Sequence, residues 1–231
     1  MADEGLGGLH PEWVGKRSTA DAWTTVESEV AFSDPWLTVR TDTCKLPNGE
    51  TMGFYHVLEY PAWVNIVALT AADQVILVRE YRHGAAKVLW GLPSGTALSA
   101  RETPADAIER ELEEETGLTC STLVMIGQWY ANPATHNNQI HSFLGRIQEP
   151  RTKQKLESHE RIEVAAVPFA DLIARLASGV LSLQAYHVAS LYQAHAFLMH
   201  SKEADFLTIR ARLAAATAST DPTGPKSRPP G

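Results

Sequence analysis

A mixed α/β fold is what the sequence predicts, and three observations carry it. Strand-like runs fill residues 22–81, and one helix with readable ends occupies residues 103–117. After that helix come further strands and two amphipathic helical runs.

In chain order, residues 1–20 are polar and Gly-containing without a period, which predicts a disordered tail. Residues 22–31 read as a first strand. Residues 36–45 and 51–60 are strand-like on either side of Asn48-Gly49, a strong hairpin signal. Residues 63–70 (WVNIVALT) and 74–81 (QVILVREY) are apolar strand runs around a short Ala-Ala-Asp turn. Residues 89–95 lead into the helix region. Residues 122–130 and 139–147 are further strands joined by a loop over 132–138, and the polar stretch 148–160 reads as a flexible loop. A strand over 161–167 is followed by helices over 169–177 and 183–200, a last helical run over 205–215, and a disordered tail over 216–231. There is no internal repeat.

With 231 residues and 44% hydrophobic content, the chain is long enough to bury one main core with appendages. Its net charge of −7 excludes nucleic acid as an expected partner, because phosphate-backbone binding needs basic surface. Cys44 and Cys120 make no disulfide framework and no CxxC pair, which fits a reducing cytoplasm. The start, MADEGLGG, lacks the signal-peptide pattern, and no apolar run is long enough to cross a membrane.

The helix over 103–117 carries the chemistry. Thr103 suits the N-cap, Pro104 the first helical position, and Asp106 the positive end of the dipole, while Gly117 supplies the stop. Ala105, Ile108 and Leu112 recur at helical spacing and form a buried face. Glu111, Glu114 and Glu115 crowd a different face. Like charges at this spacing destabilise a helix by about 0.2–0.5 kcal/mol per pair, so a purely structural helix would alternate the signs. Converging carboxylates make an oxygen cage suited to Mg²⁺ or Mn²⁺. A solvated acidic helix is the plainer alternative.

The surrounding pattern resembles the Nudix box. Arg110, Glu111, Leu112, Glu114, Glu115, Gly117 and Leu118 fit its second half without a gap, and Glu102 stands eight positions before Arg110 as the box requires. One departure lies upstream, where six residues rather than five separate Gly95 from Glu102, and Arg101 stands where relatives often have Gly. The resemblance implies a mixed β-sheet sandwiched between α-helices, over about residues 63–200. With the strands before it, it divides the chain into a tail (1–20), an N-terminal antiparallel β extension (21–60), the hydrolase domain (61–215) and a second tail (216–231).

Within that family the chain looks most like the ADP-ribose and nucleoside-diphosphate-sugar pyrophosphatases. The N-terminal strands resemble the sheet those enzymes carry. Arg79-Glu80-Tyr81-Arg82 resembles their Arg-any-Tyr-Arg segment, and Leu92-Pro93-Ser94-Gly95 their Leu-Pro-Ala-Gly. Pro133 falls close to a proline of that branch, and residues 160–164 resemble the loop and strand that deliver a late acidic residue. The loop Ala-Asn-Pro-Ala-Thr-His-Asn-Asn differs from their Ser-Pro-Gly type, which leaves the substrate open.

The resemblance implies Mg²⁺-dependent hydrolysis of a phosphoanhydride, splitting ADP-ribose or an NDP-sugar into a nucleoside monophosphate and a sugar phosphate. It implies that Glu111, Glu114, Glu115 and the Ser94 carbonyl hold the metal and that Arg110 orients the glutamates. Gly95, Glu102 and Gly117 are the structural positions of the box. Glu160 is the candidate late base, with Glu157 as the alternative in the same loop. Arg79 and Arg82 are candidates to clamp the diphosphate, or to make surface ion pairs. Trp36 is a candidate to touch the nucleotide across a homodimer interface built from the N-terminal strands, although tryptophans more often serve cores and interfaces. The competing functions are another Nudix specificity (dinucleoside polyphosphates or NADH) and a nucleotide-sugar-binding module without turnover.

Overall fold

The structure is a computed structural model that describes residues 22–97, 101–148, 152–158, 160–202 and most of 206–213. Both expected tails, the 98–100 part of the loop before the helix, and residues 149–151 and 159 lie outside the described residues. Two compact units are present, one reaching to Tyr60 and including Ala134–Asn137, the other made of Pro61–Pro133 and the chain from Asn138 onward. No helix among the described residues is long and apolar enough to cross a membrane.

The first unit is an antiparallel sheet of β1 (Thr24–Ser33), β2 (Thr38–Lys45) and β3 (Thr51–Glu59), in that order. The Asn48-Gly49 signal makes the β2–β3 turn. Gly49 takes φ +86°, the Gly49 N–H donates to Leu46 O at 2.9 Å, and Asn48 Oδ1 accepts the Glu50 N–H at 3.0 Å. The expected strand over 36–45 starts two residues late, because Asp34 Oδ1 accepts the N–H groups of Trp36 and Leu37 and holds that stretch as a turn. Arg40 pairs with Asp42 along β2 at 2.6 Å and with Glu59 on β3 at 2.8 Å. The loop at 134–137 adds to this unit, with the Leu58 N–H donating to Thr135 O at 2.7 Å and the Tyr55 hydroxyl to Ala134 O.

The second unit is built on a seven-stranded mixed sheet. Its strands are β4 (Trp63–Leu69), β5 (Gln74–Arg82), β6 (Lys87–Gly91), β7 (Ser94–Thr96), β8 (Thr119–Tyr130), β9 (Gln139–Gln148) and β10 (Glu163–Pro168). The main order is β10-β5-β4-β9-β8, with β6 on β5 and β7 on β4; β4 and β9 run parallel and the other pairs antiparallel. The single run expected over 89–95 is thus two strands, because Pro93 lacks an N–H and its carbonyl instead accepts from Ile66 at 3.1 Å.

The central strands read as unbroken apolar runs because both sheet faces are covered. Val64, Ile66, Ala68, Ile76 and Phe143 pack under α1 (Pro104–Thr116) with Ala107, Ile108 and Leu112. Val67, Leu69, Val75, Leu77 and Leu144 face α2 (Phe169–Ala177) and α3 (Ala185–His200), joined by Phe206, Ile209 and Leu213. A buried relay fixes the start of α3 over the sheet. Asn65 Nδ2 donates to Ser142 Oγ (2.9 Å), Ser142 to Ser190 Oγ (2.8 Å), and Ser190 to the Tyr186 carbonyl (2.7 Å).

α1 has the expected ends. Thr103 and Asp106 form a reciprocal capping box, and Gly117 closes the helix at φ +71°. The stretch 152–155, expected as part of a flexible loop, is tied to the end of that helix. The Thr152 N–H donates to Gly117 O (2.7 Å), the Lys155 N–H to Glu114 O (2.9 Å), and Gln154 Nε2 to Glu115 O (2.6 Å). The last turn of a helix leaves carbonyls without partners, and this polar segment supplies them.

Candidate active site

The site lies where α1 crosses β7. Pairing with β4 holds Ser94, Gly95 and Thr96 extended, so their amides can meet the helix carboxylates. The Ser94 N–H donates to Glu115 Oε2 at 3.1 Å and the Thr96 N–H to Glu111 Oε1 at 3.3 Å. Gly95 is required between them, because a Cβ there would sit 2.1 Å from the Glu111 carboxyl.

Arg110 ties the carboxylates together. Its Nε donates to Glu102 at 2.9 Å, one terminal nitrogen reaches Glu111 (2.9 Å) and Glu114 (3.1 Å), and the other donates to the Thr96 carbonyl (3.0 Å). Partial burial works against the Arg110 charge, but Glu102, Glu111 and Glu114 outweigh it and hold the guanidinium more firmly protonated.

The other glutamates are less comfortable. Burial raises the Glu111 carboxyl above the ordinary range, with Arg110 working against the rise. Glu115 is 5% exposed, and burial, then the charge of Glu80, push its carboxyl well up. An anionic oxygen buried against an amide, with two further carboxylates acting on it, is a donor set that a hard divalent cation would stabilise. Among the described residues no three acidic or His/Cys side chains already stand at ligand geometry. Glu111 and Glu114 are drawn to Arg110, and Glu115 to the Ser94 amide.

A cleft of about 200 Å³ opens beside this array, bounded by Ser94, Gly95 and Thr96 and by Arg82, Trp63, Gln184 and Tyr186. Burial raises the Tyr186 hydroxyl above its ordinary range, with Arg82 and Ser94 working against the rise, and its ring lies 6.0 Å from Trp63. Arg82 pairs with Glu80 at 2.5 Å.

Several residues singled out from the sequence therefore come together: Arg82, Ser94, Gly95, Glu102, Arg110, Glu111, Glu114 and Glu115. Gly117 is the helix stop. Arg79 does not join them. It sits one side of β5 away from Arg82, pairs with Glu163 at 3.0 Å and lies over Trp90, as the surface-ion-pair alternative describes. Glu160 accepts the Glu157 N–H at 2.9 Å in a tight turn, and its charge reaches Glu80. Trp36 lies in the first unit, 69% exposed in the turn before β2. Sequence reasoning gave no role to Glu80, Gln184 or Tyr186. The available signal for Glu80 was its alternation with Arg82 on one face of a strand. Gln184 and Tyr186 gave none, because only the docking of α3 brings them here.

Comparison with known proteins follows the same outline. The NUDIX domain family matches residues 59–185, and the nucleoside diphosphate sugar hydrolase N-terminal domain matches residues 23–58. The chain is 29% identical over 150 residues to an ADP-ribose pyrophosphatase of Bacillus subtilis (strain 168), covering 64% of this chain and 80% of that one. It is 25% identical over 173 residues to an ADP-ribose pyrophosphatase of Mycobacterium tuberculosis (strain ATCC 25618 / H37Rv), covering 74% and 83%. The crystal structure of an ADP compounds hydrolase shares the fold at a TM-score of 0.65 and 21% identity, covering 77% of this chain and 95% of that one. The NUDIX match spans more than half of the chain and runs through β7, α1 and the start of α3, the elements that build the site. By that match and those relatives, the chain belongs to the Nudix family and is a Nudix hydrolase related to the ADP-ribose pyrophosphatases.

Proposed function

We propose that this Nudix hydrolase is a Mg²⁺-dependent pyrophosphatase acting on a nucleoside diphosphate joined to a second moiety, ADP-ribose or an NDP-sugar. The products are a nucleoside monophosphate and a sugar phosphate. The observation that carries this reading is the α1–β7 array, in which Arg110 gathers Glu102, Glu111 and Glu114 beside buried Glu115, next to a cleft with Arg82 on its wall.

Glu111, Glu114, Glu115 and the Ser94 carbonyl are the residues that would hold Mg²⁺, with Mn²⁺ as a substitute. When bound, the metal neutralises the phosphoanhydride and lowers the cost of generating a nucleophile from water. Arg110 gathers Glu111 and Glu114 beside the cleft, from where they would turn towards the metal. Arg82 presents a guanidinium for two phosphate oxygens. Glu160 takes up the proton of the attacking water on its carboxylate. The Cys44 and Cys120 thiols are free, consistent with action in a reducing cytoplasm.

Product release from ADP-ribose and a panel of NDP-sugars, with and without Mg²⁺, tests the reading. Metal-dependent turnover of one of them supports it. Metal-dependent turnover confined to NADH or dinucleoside polyphosphates would move the enzyme to another specificity, and binding without turnover would make it a sensor module.

Glu160→Gln is expected to lower kcat by about 100-fold with little change in KM, because a general base acts in the transition state. A larger loss in Glu157→Gln would transfer the role to that residue.

The active protein is also proposed to be a homodimer joined through β1–β3. All of β1 is exposed in the single chain, and Val26, Val30 and Phe32 lie along it at alternating or near-alternating positions. Such a strand invites pairing with a second chain. Light scattering of the full chain at micromolar concentration is expected to give a dimer mass. A fully active monomer would show that the N-terminal sheet needs no second copy.

A further inference from the structure

A small chamber behind the cleft holds two polar atoms that lack partners. His187 is fully buried at the start of α3, and its Nδ1 accepts the Leu92 N–H at 3.3 Å. The proton of the neutral ring is therefore on Nε2. That Nε2 is buried without a hydrogen-bond partner, and so is Gln184 Oε1. Both residues line one cavity of about 10 Å³, whose other walls include Glu80, Arg82 and Gly91. The ring stays neutral, since burial and then the nearby Arg82 charge press its pKa down to about 3. Gly91 is what admits it, because a Cβ there would stand 2.9 Å from the imidazole.

One donor and one acceptor facing the same water-sized space are complementary to a water molecule, which needs about two to four polar partners. A water there would accept from His187 Nε2–H and donate to Gln184 Oε1 and to the Glu80 carboxylate. Glu80 in turn holds Arg82 at 2.5 Å, and Arg82 and Gln184 are the two residues that border both this chamber and the cleft. We propose that His187, Gln184 and Glu80 bind one buried water, and that through it His187 and Gln184 act as positioning residues for Arg82. The chamber couples the start of α3 to the arginine that would meet the diphosphate. This positioning role rests on the proposed reading of the cleft, whereas the water itself does not.

Two experiments on the full chain test it. A crystal structure that resolves solvent is expected to show one ordered water within about 3.2 Å of both His187 Nε2 and Gln184 Oε1. A direct bond between those two atoms, or a chamber without ordered water, overturns the proposal. Calorimetric titration with ADP in the presence of Mg²⁺ then reads the coupling. His187→Phe is expected to weaken binding about 5-fold, and His187→Gln, which keeps a side-chain donor, to recover most of that loss. Combined with Arg82→Gln, His187→Phe is expected to add almost nothing, since its effect passes through the arginine. Losses that multiply would make His187 a packing residue only and overturn the positioning role. If His187→Phe does not fold, Gln184→Leu enters the same cycle with the same two readings. Intact ADP binding without turnover on any panel substrate would refute the proposed reaction but leave both of these readings in force.

Discussion

Replacing Glu115 by Gln is expected to cut kcat by about 100- to 1000-fold, the several kcal/mol that a metal contributes to such a transition state. The fold should survive, because a glutamine oxygen can still accept the Ser94 N–H that Glu115 now accepts at 3.1 Å. The stability change should run the other way. Glu115 carries a charge that burial disfavours, with Glu80 acting on it as a like charge. With metal removed by a chelator, the neutral variant is expected to melt a few degrees above the wild type.

The sign of the pH dependence follows from the same cause. A carboxyl raised in the folded state binds protons more tightly there than in the unfolded chain. The metal-free wild type should therefore lose stability as pH climbs from the ordinary carboxylate range towards the raised folded value. Glu115→Gln should lack that part of the slope, and adding Mg²⁺ should raise the melting temperature of the wild type far more than that of the variant. Melting curves from pH 4 to 8, with and without Mg²⁺, read all of this, with pH about 4 to 8 being the span over which shifted carboxyls titrate. Glu114→Gln should share the loss of kcat with a smaller stability change, since its side chain is 40% exposed. Near-wild-type turnover in both variants would remove these carboxylates from the reaction.

Gly95→Ala is expected to cost about 10- to 100-fold in activity without replacing any charged group, the range seen when a ligand's supporting partner is lost. The added methyl would begin 2.1 Å from the Glu111 carboxyl, far inside contact distance. Glu111 would have to leave the Thr96 amide, and Arg110, which bonds both Glu111 and the Thr96 carbonyl, would shift with it. A weaker apparent Mg²⁺ affinity should accompany the lower kcat. Unchanged metal dependence would show that Glu111 can act from another rotamer.

The one-residue-longer stretch between Gly95 and Glu102 bears on the same geometry. The array is closed all the same, since Glu102 reaches Arg110 at 2.9 Å and Gly95 lies under Glu111.

Much of this was legible in the chain because it is local. Helix caps act within four residues, so Thr103, Pro104, Asp106 and Gly117 announce α1 without reference to anything else. The i,i+4 spacing of one helical turn likewise places Arg110 beside Glu114, and Asn48-Gly49 marks the short turn between β2 and β3. Apolar runs at 63–70 and 74–81 declare strands covered on both faces. Tertiary structure decided what depends on distant segments meeting. Whether Arg79 or Arg82 lines the cleft turned on which distant segments pack beside each, and alternation alone says only that the two face apart. The stretch 152–155 looks unstructured by composition, yet it is ordered by the unsatisfied carbonyls at the end of α1. Glu80, Gln184, Tyr186 and His187 carry no motif, and their roles arise where α3 docks on the sheet through Asn65, Ser142 and Ser190. The family, the carboxylate helix and its glycine follow from local pattern; the second wall of the cleft follows from packing, because hydrogen-bond partners 77 and 48 residues apart leave no local periodicity to read.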